Sequence, residues 1–216
     1  MSESGSYRYL LNGEPAPFTE AWQRQYLSAG KERLSSSRRA PGIEIITEAS
    51  LVDGRVKSCE IQWLADTVSI QAGYSLEVGG LQFQRQVDGV AVETETLEAG
   101  VDSPALLFPL MRIFTGPLIC RLLQQGGEGT VIVPAIGQPD DTDALLRPQF
   151  SQRQARVLEA QTELLLDGQV IECRLCEYTG DQYAAGSRFW IGEDETLLRY
   201  QWQQGPEQNW DVCLEH

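Results

Sequence analysis

Residues 68–87 read VSIQAGYSLEVGGLQFQRQV. Val68, Ile70, Ala72, Tyr74, Leu76 and Val78 fall on one side of an extended chain, and Ser69, Gln71, Gly73, Ser75 and Glu77 on the other. That period of two is expected of an antiparallel strand with one buried face. Gly79-Gly80 supplies the positive φ angles of a tight hairpin, after which Leu81, Phe83 and Val87 resume the alternation against Gln82, Gln84 and Gln86.

The same device recurs in both directions. Asp53-Gly54 separates Ile43–Val52 from Arg55–Leu64, Asp88-Gly89 separates Leu81–Val87 from Val90–Leu97, and Asp167-Gly168 separates Thr162–Leu166 from Gln169–Tyr178, each a hairpin signal. Arg188–Ile191 and Leu197–Trp202 flank a polar turn, and Trp210–Leu214 adds a last strand. With Tyr7–Leu11, Phe18–Tyr26 and Thr130–Val133 the count is ten to twelve strands. No fixed-period repeat points to a propeller or solenoid.

Between the strands, Asp102-Ser103-Pro104 offers a helix start and Ala105–Phe114 is almost continuously apolar. Pro109 splits such a helix and Gly116-Pro117 divides it from a second piece, Leu118–Gln125. A stretch apolar all round is buried. The expected fold is therefore mainly β: a large curved antiparallel sheet, half-barrel or barrel, with one or two short helices packed on or in it. It forms one domain over residues 1–213, with Leu214-Glu215-His216 read as the remnant of an expression tag. Leu27–Gly42, with Lys31, Arg33, Arg38, Arg39 and three consecutive serines, reads as a basic loop. Pro134–Pro148, with Asp140, Asp141 and Asp143, reads as a solvated turn.

Composition removes several functions. There are 17 basic and 31 acidic side chains in 216 residues, a net charge of -14. That sign opposes binding to nucleic acid or to an anionic membrane. The one histidine is His216, so Ser-His and Cys-His pairs and histidine-bearing zinc sites are not expected. Gly126-Gly127-Glu128-Gly129 lacks the ending of a phosphate loop. The five cysteines are odd in number and scattered, and Cys173 and Cys176, three apart on a strand, suit neither a redox pair nor a zinc site. No run spans a bilayer and no signal-like segment follows Met1, so a cytoplasmic protein with no metal or cofactor is expected.

The feature closest to a site is the placement of arginines among aromatics. Arg24 shares a strand face with Phe18, Trp22 and Tyr26; Arg85 with Leu81, Phe83 and Val87; Arg188 with Trp190. A guanidinium on an apolar face is costly unless it is paired or meets a ligand. An apolar cavity with a few polar anchors is the usual composition of a small-molecule site. Trp22, Trp63, Tyr74, Trp190 and Trp202 are the wall candidates, with Arg24 and Arg85 as anchors.

The order of elements, with VDSPALLFPLMRIFTG (Val101–Gly116), Leu145-Leu146-Arg147-Pro148 and SRFWIGEDETLLRYQW (Ser187–Trp202), resembles the glycolipid-binding proteins and the half-barrel families of lipoprotein carriers and envelope proteins. The resemblance implies a curved sheet wrapped partly around a helix, with a cavity for an acyl or glycolipid-like molecule. The first expectation is thus a non-enzymatic binder of a hydrophobic or glycolipid-like ligand in a half-barrel cavity. A second is an adaptor that binds another protein through a sheet edge or the 31–39 stretch. A third is a carboxylate-based hydrolase or lyase drawing on Glu60, Glu172 or Glu177.

Overall fold

The computed structural model describes residues 2–28, 30–98, 105–137, 141–180, 183 and 185–215. Eight strands run in unbroken up-and-down order: β1 (Ser2–Leu11), β2 (Glu14–Ser28), β3 (Lys31–Ala40), β4 (Ile43–Val52), β5 (Arg55–Ala65), β6 (Val68–Glu77), β7 (Gly80–Val87) and β8 (Val90–Leu97). After the two-residue β9 (Leu106–Leu107) come a 3-10 turn at Arg112–Phe114 and the helix α1 (Thr115–Gln124). The chain ends with β10 (Glu128–Pro134), β11 (Pro148–Leu166), β12 (Gln169–Thr179), β13 (Arg188–Ile191), β14 (Leu197–Gln203) and β15 (Asn209–Glu215).

All fifteen strands form one sheet, in the order β8 to β1, then β15 to β9. β1 pairs antiparallel with β15, so the first and last strands lie side by side, and the sheet stays open between β8 and β9. The hairpins follow the turn chemistry read in the sequence: Asp53 and Gly54 take φ of 50° and 69°, the left-handed pair that matches the twist of two strands. Only β9 runs parallel, beside β10.

The sheet is strongly curved around the 105–124 segment. α1 packs on β10 and β11, yet also reaches β5, which β9 contacts as well, and the 3-10 turn lies against β14. Alternate residues of the strands point inward: Ile61, Trp63, Ile70, Ala72, Tyr74, Leu81 and Phe83 are buried against Leu107, Met111, Ile113, Phe114, Ile119 and Leu122 in one hydrophobic cluster. Side chains on the sheet tie the segment in place. Thr47 Oγ1 donates to the Pro109 carbonyl at 3.3 Å, and Glu20 Oε1 accepts the Arg112 backbone N–H at 2.6 Å.

Several expectations require correction. The 105–114 stretch is no α-helix and holds only the 3-10 turn at Arg112–Phe114: Leu106 and Leu107 pair with Val131 and Ile132, and Phe108 N donates to the Ile132 carbonyl at 3.0 Å. Pro109 has no N–H to give a helix and keeps Phe108 extended. The helix begins at Thr115, and Gly116-Pro117 lies inside its first turn, where a proline costs little. The proposed start at Asp102-Ser103-Pro104 lies outside the described residues. The basic loop is also absent, because Lys31–Ala40 is β3, paired on both sides, with Leu34 and Ser36 buried. Leu214 and Glu215, set apart as a tag remnant, continue β15 opposite Tyr7 and Ser6, and Leu214 is 1% exposed. β11 begins at Pro148, fourteen residues before Thr162, and runs through two register shifts.

All five cysteines are free and buried. Cys176 lies within residues 175–178, where β12 is covered on both faces, whereas Cys173 is buried between the exposed Glu172 and the half-buried Arg174. Burial pushes the thiols of Cys120, Cys176 and Cys213 up to about 11 and raises those of Cys59 and Cys173. Thiolates are the reactive form. Ellman's reagent at mildly alkaline pH is therefore expected to label almost none of the five in the native protein and all five in denaturant; fast labelling of one native thiol would contradict this packing.

Candidate functional site

Six of the seven candidate residues sit on the inner face. Trp22, Arg24, Trp63, Tyr74, Arg85 and Trp202 are buried, whereas Trp190 lies half-buried on the opposite face, its ring 5.6 Å from the Arg199 guanidinium. They do not meet in one cavity. Arg85 Nε donates to the Leu145 carbonyl at 2.9 Å and its NH2 to the Thr142 carbonyl, while Tyr74 OH donates to the Leu146 carbonyl. These two side chains fasten the 141–147 turn over the core. Trp63 is buried between Ile45 and Ile70 on neighbouring strands. Trp202 packs edge-on to Tyr183 at 5.2 Å.

Trp22 and Arg24 form a different environment. β2 carries both inward, two residues apart, opposite Gly5 and Glu3 of β1. A Cβ at Gly5 would stand 2.9 Å from the Trp22 ring, so the indole lies directly over that glycine. Arg24 is 2% exposed, and three acids surround it: Asp194 at 3.3 Å, Glu32 at 3.5 Å and Glu3 at 3.9 Å. Its NH1 also lies 3.3 Å from Tyr26 OH, which donates to Glu3 at 3.0 Å. Burial works against the Arg24 charge, but Tyr26, Glu32 and Asp194 outweigh it and hold the pKa above the ordinary value.

The Gly192–Thr196 turn delivers Asp194 to this cluster. Its geometry is fixed from three sides. Thr196 Oγ1 donates to Asp194 Oδ2 at 2.5 Å, Tyr7 OH donates to the Leu197 carbonyl at 2.9 Å, and Arg121 of α1 pairs with Glu195. Gly116 permits the approach of α1, since a Cβ there would stand 2.0 Å from the Glu195 carbonyl oxygen.

Beside this cluster opens a cleft of about 700 Å³ at one end of the sheet. Its apolar wall is Trp22, Val170, Ile171, Leu198 and Leu214, and its acidic residues are Glu3, Glu172, Glu193 and Asp194. The volume falls within the range of small-molecule sites. Trp22 is 6% exposed, and its Nε1–H has no hydrogen-bond partner. A buried donor left unmatched is costly, and such exceptions call for an explanation.

Other grooves differ in character. One of about 540 Å³ crosses β3–β8 and is bordered by Arg33, Glu48, Ser50, Ser58, Glu60, Ser75, Gln82 and Gln84. Another, near Trp202, is bordered by Asn12, Arg188, Gln201 and Asn209. Neither these two nor the end cleft touches residues 105–125. The carboxylates considered for catalysis are dispersed: Glu60 lines the β3–β8 groove, Glu172 the end cleft and Glu177 a third depression, where it accepts hydrogen bonds from Arg156 and Gly186 N.

Sequence reasoning reached Trp22 and Arg24 but missed Leu198, Leu214, Ile171 and Asp194. Only the β1–β15 pairing brings those segments beside β2. Among the described residues no helix is long and apolar enough to cross a membrane. No protein-family model matches the chain, and neither a curated protein sequence nor a solved structure gives a significant match.

Proposed function

We propose that the chain is a non-enzymatic binding protein that takes an amphiphile at the end of its half-barrel, in the cleft beside Trp22. The observation that carries this reading is the cleft itself, lined by the buried apolar side chains of Trp22, Leu198 and Leu214 and carrying the 63% exposed Val170 as an uncovered apolar lip. An amphiphile fits such a cleft, because its hydrocarbon covers the exposed apolar lip while its head stays among the polar groups of the rim. Each methylene covered contributes about 0.8 kcal/mol.

The resemblance to glycolipid-binding half-barrels supports a ligand of this type. The site differs from the interior cavity that the resemblance implies, because the chain's own residues 105–124 occupy the concave face. A reducing cytoplasm, which preserves five unpaired thiols, is part of the proposal.

Dodecyl maltoside, kept below its micelle concentration, is the probe for this reading. Titrated into isotope-labelled protein, it is expected to move the Trp22 indole N–H resonance saturably. No saturable change anywhere in the spectrum would end the proposal.

A further inference from the structure

The end cleft carries a marked imbalance of charge. Glu3, Glu32, Glu172, Glu193 and Asp194 line or adjoin it, and no lysine or arginine lines it. Arg24, the cation that reaches Asp194, is buried behind the wall and already shared among Glu3, Glu32 and Asp194. Glu172 and Glu193 are exposed and have no ion pair among the described residues. Burial raises the Glu32 pKa, and Glu195, Glu3 and Asp194 push the same way against Arg24, as expected where negative charge accumulates.

The apolar side of the cleft extends outward. Val170 is 63% exposed and pairs across the β11–β12 hairpin with Leu165, 68% exposed, so a greasy lip continues from the wall to the hairpin tip. A cation within reach of the carboxylates and a hydrocarbon along Val170 and Leu165, which share a face with Glu172, would satisfy both sides at once.

We propose that the ligand of this cleft is a long-chain amine: its ammonium sits among Glu172, Glu193 and Asp194, and its chain lies along Val170 and Leu165. The inference rests on the reading of the cleft as an amphiphile site and adds the sign of the head group. A carboxylate or sulfate head would meet five acids and a guanidinium that is already matched.

Three probes with the same chain, dodecylammonium, dodecyl maltoside and dodecanoate, separate the possibilities by calorimetry near neutral pH and low salt. Dodecylammonium is expected to bind most tightly and to lose affinity as salt rises. The Glu172→Gln/Glu193→Gln double variant, with its fold checked by circular dichroism, is expected to weaken that binding several-fold, since a rim charge at such exposure contributes up to about fivefold in affinity. Equal affinity for all three probes would overturn the cationic ligand while leaving an amphiphile site in place. Binding of dodecylammonium unaffected by the double variant would also overturn it. If none of the three binds, both this inference and the reading beneath it fail.

Discussion

Replacing Glu20 by alanine is expected to destabilise the protein by about 2–6 kcal/mol, at about 1–3 kcal/mol for each of two buried donors left without an acceptor. Glu20 is 1% exposed on the inner face of β2. Its Oε2 accepts from Tyr9 OH at 2.5 Å, and its Oε1 accepts from Arg112 N, the opening N–H of the 3-10 turn. Such a turn leaves its first donors without acceptors inside the turn itself, and the carboxyl group of a strand residue supplies one from outside. Alanine strands both donors in a place water does not reach.

The loss extends to the side chain of Arg112. Its NH1 donates to Tyr183 OH at 2.7 Å, and its guanidinium lies 5.0 Å above the Tyr200 ring. Burial raises the Tyr9 pKa, with Glu20 adding to the effect. Glu20→Gln keeps an acceptor for Arg112 N and should cost distinctly less than alanine. Urea unfolding of the three proteins checks the order; an alanine variant within about 1 kcal/mol of the parent would contradict a structural role for this carboxylate.

The second large effect is expected at Phe114, where alanine should remove about 3–5 kcal/mol. Phe114 is 1% exposed at the junction of the 3-10 turn and α1, within the core cluster enclosed by the curved sheet. Removing an aromatic ring from a filled interior leaves a dry void that should admit benzene or xenon. Were the interior instead a ligand chamber, the side chain would already border empty space and its truncation would cost little. Thermal unfolding with and without benzene distinguishes the two: stabilisation of Phe114→Ala alone indicates a filled parent interior, and equal stabilisation of the parent indicates a chamber already present.

The mainly β, curved, antiparallel character was legible because its signals are local. In β6 and β7 apolar residues alternate without exception from Ile70 to Tyr74, and Gly79-Gly80 or Asp-Gly pairs mark the reversals. The burial of Arg24 and Arg85 was legible for the same reason, since residues two positions away on either side are apolar or aromatic and fix which face the arginine shares.

Elements without a local signal were misread. β3 turns Ser36 and Arg38 inward beside Leu34, and the Ser36 hydroxyl is satisfied by the Ala21 carbonyl at 3.0 Å, so hydrophobicity does not alternate along it. The middle of β11, residues 156–161, is exposed on both faces where the register shifts twice, which removes any period. The 105–114 stretch is apolar at every position except Arg112 and offers no period to separate strand from helix. Its two-residue strand exists only because Val131 and Ile132 lie alongside.

The candidate site was legible only in part. Trp22 and Arg24 announce an unusual environment, but the residues that turn it into a cleft come from β12, β14 and β15. Trp22 and Leu214 are brought together when β1 and β15 pair, a contact with no trace in local sequence. The carboxylates that match Arg24 likewise come from β1, β3 and a distant turn.

Two tryptophans with unpartnered indole N–H groups allow the decisive comparison. Trp22 borders the end cleft, while Trp63 is buried in the interior beside Ile45 and Ile70. The proton–nitrogen spectrum contains five indole resonances, one per tryptophan, and Trp22→Phe and Trp63→Phe identify these two. On titration with dodecylammonium, the Trp22 resonance is predicted to move saturably while the Trp63 resonance stays in place. A Trp63 resonance that moves while Trp22 does not would show the ligand entering the interior, and would contradict a half-barrel filled by its own chain and served by a cleft at its end.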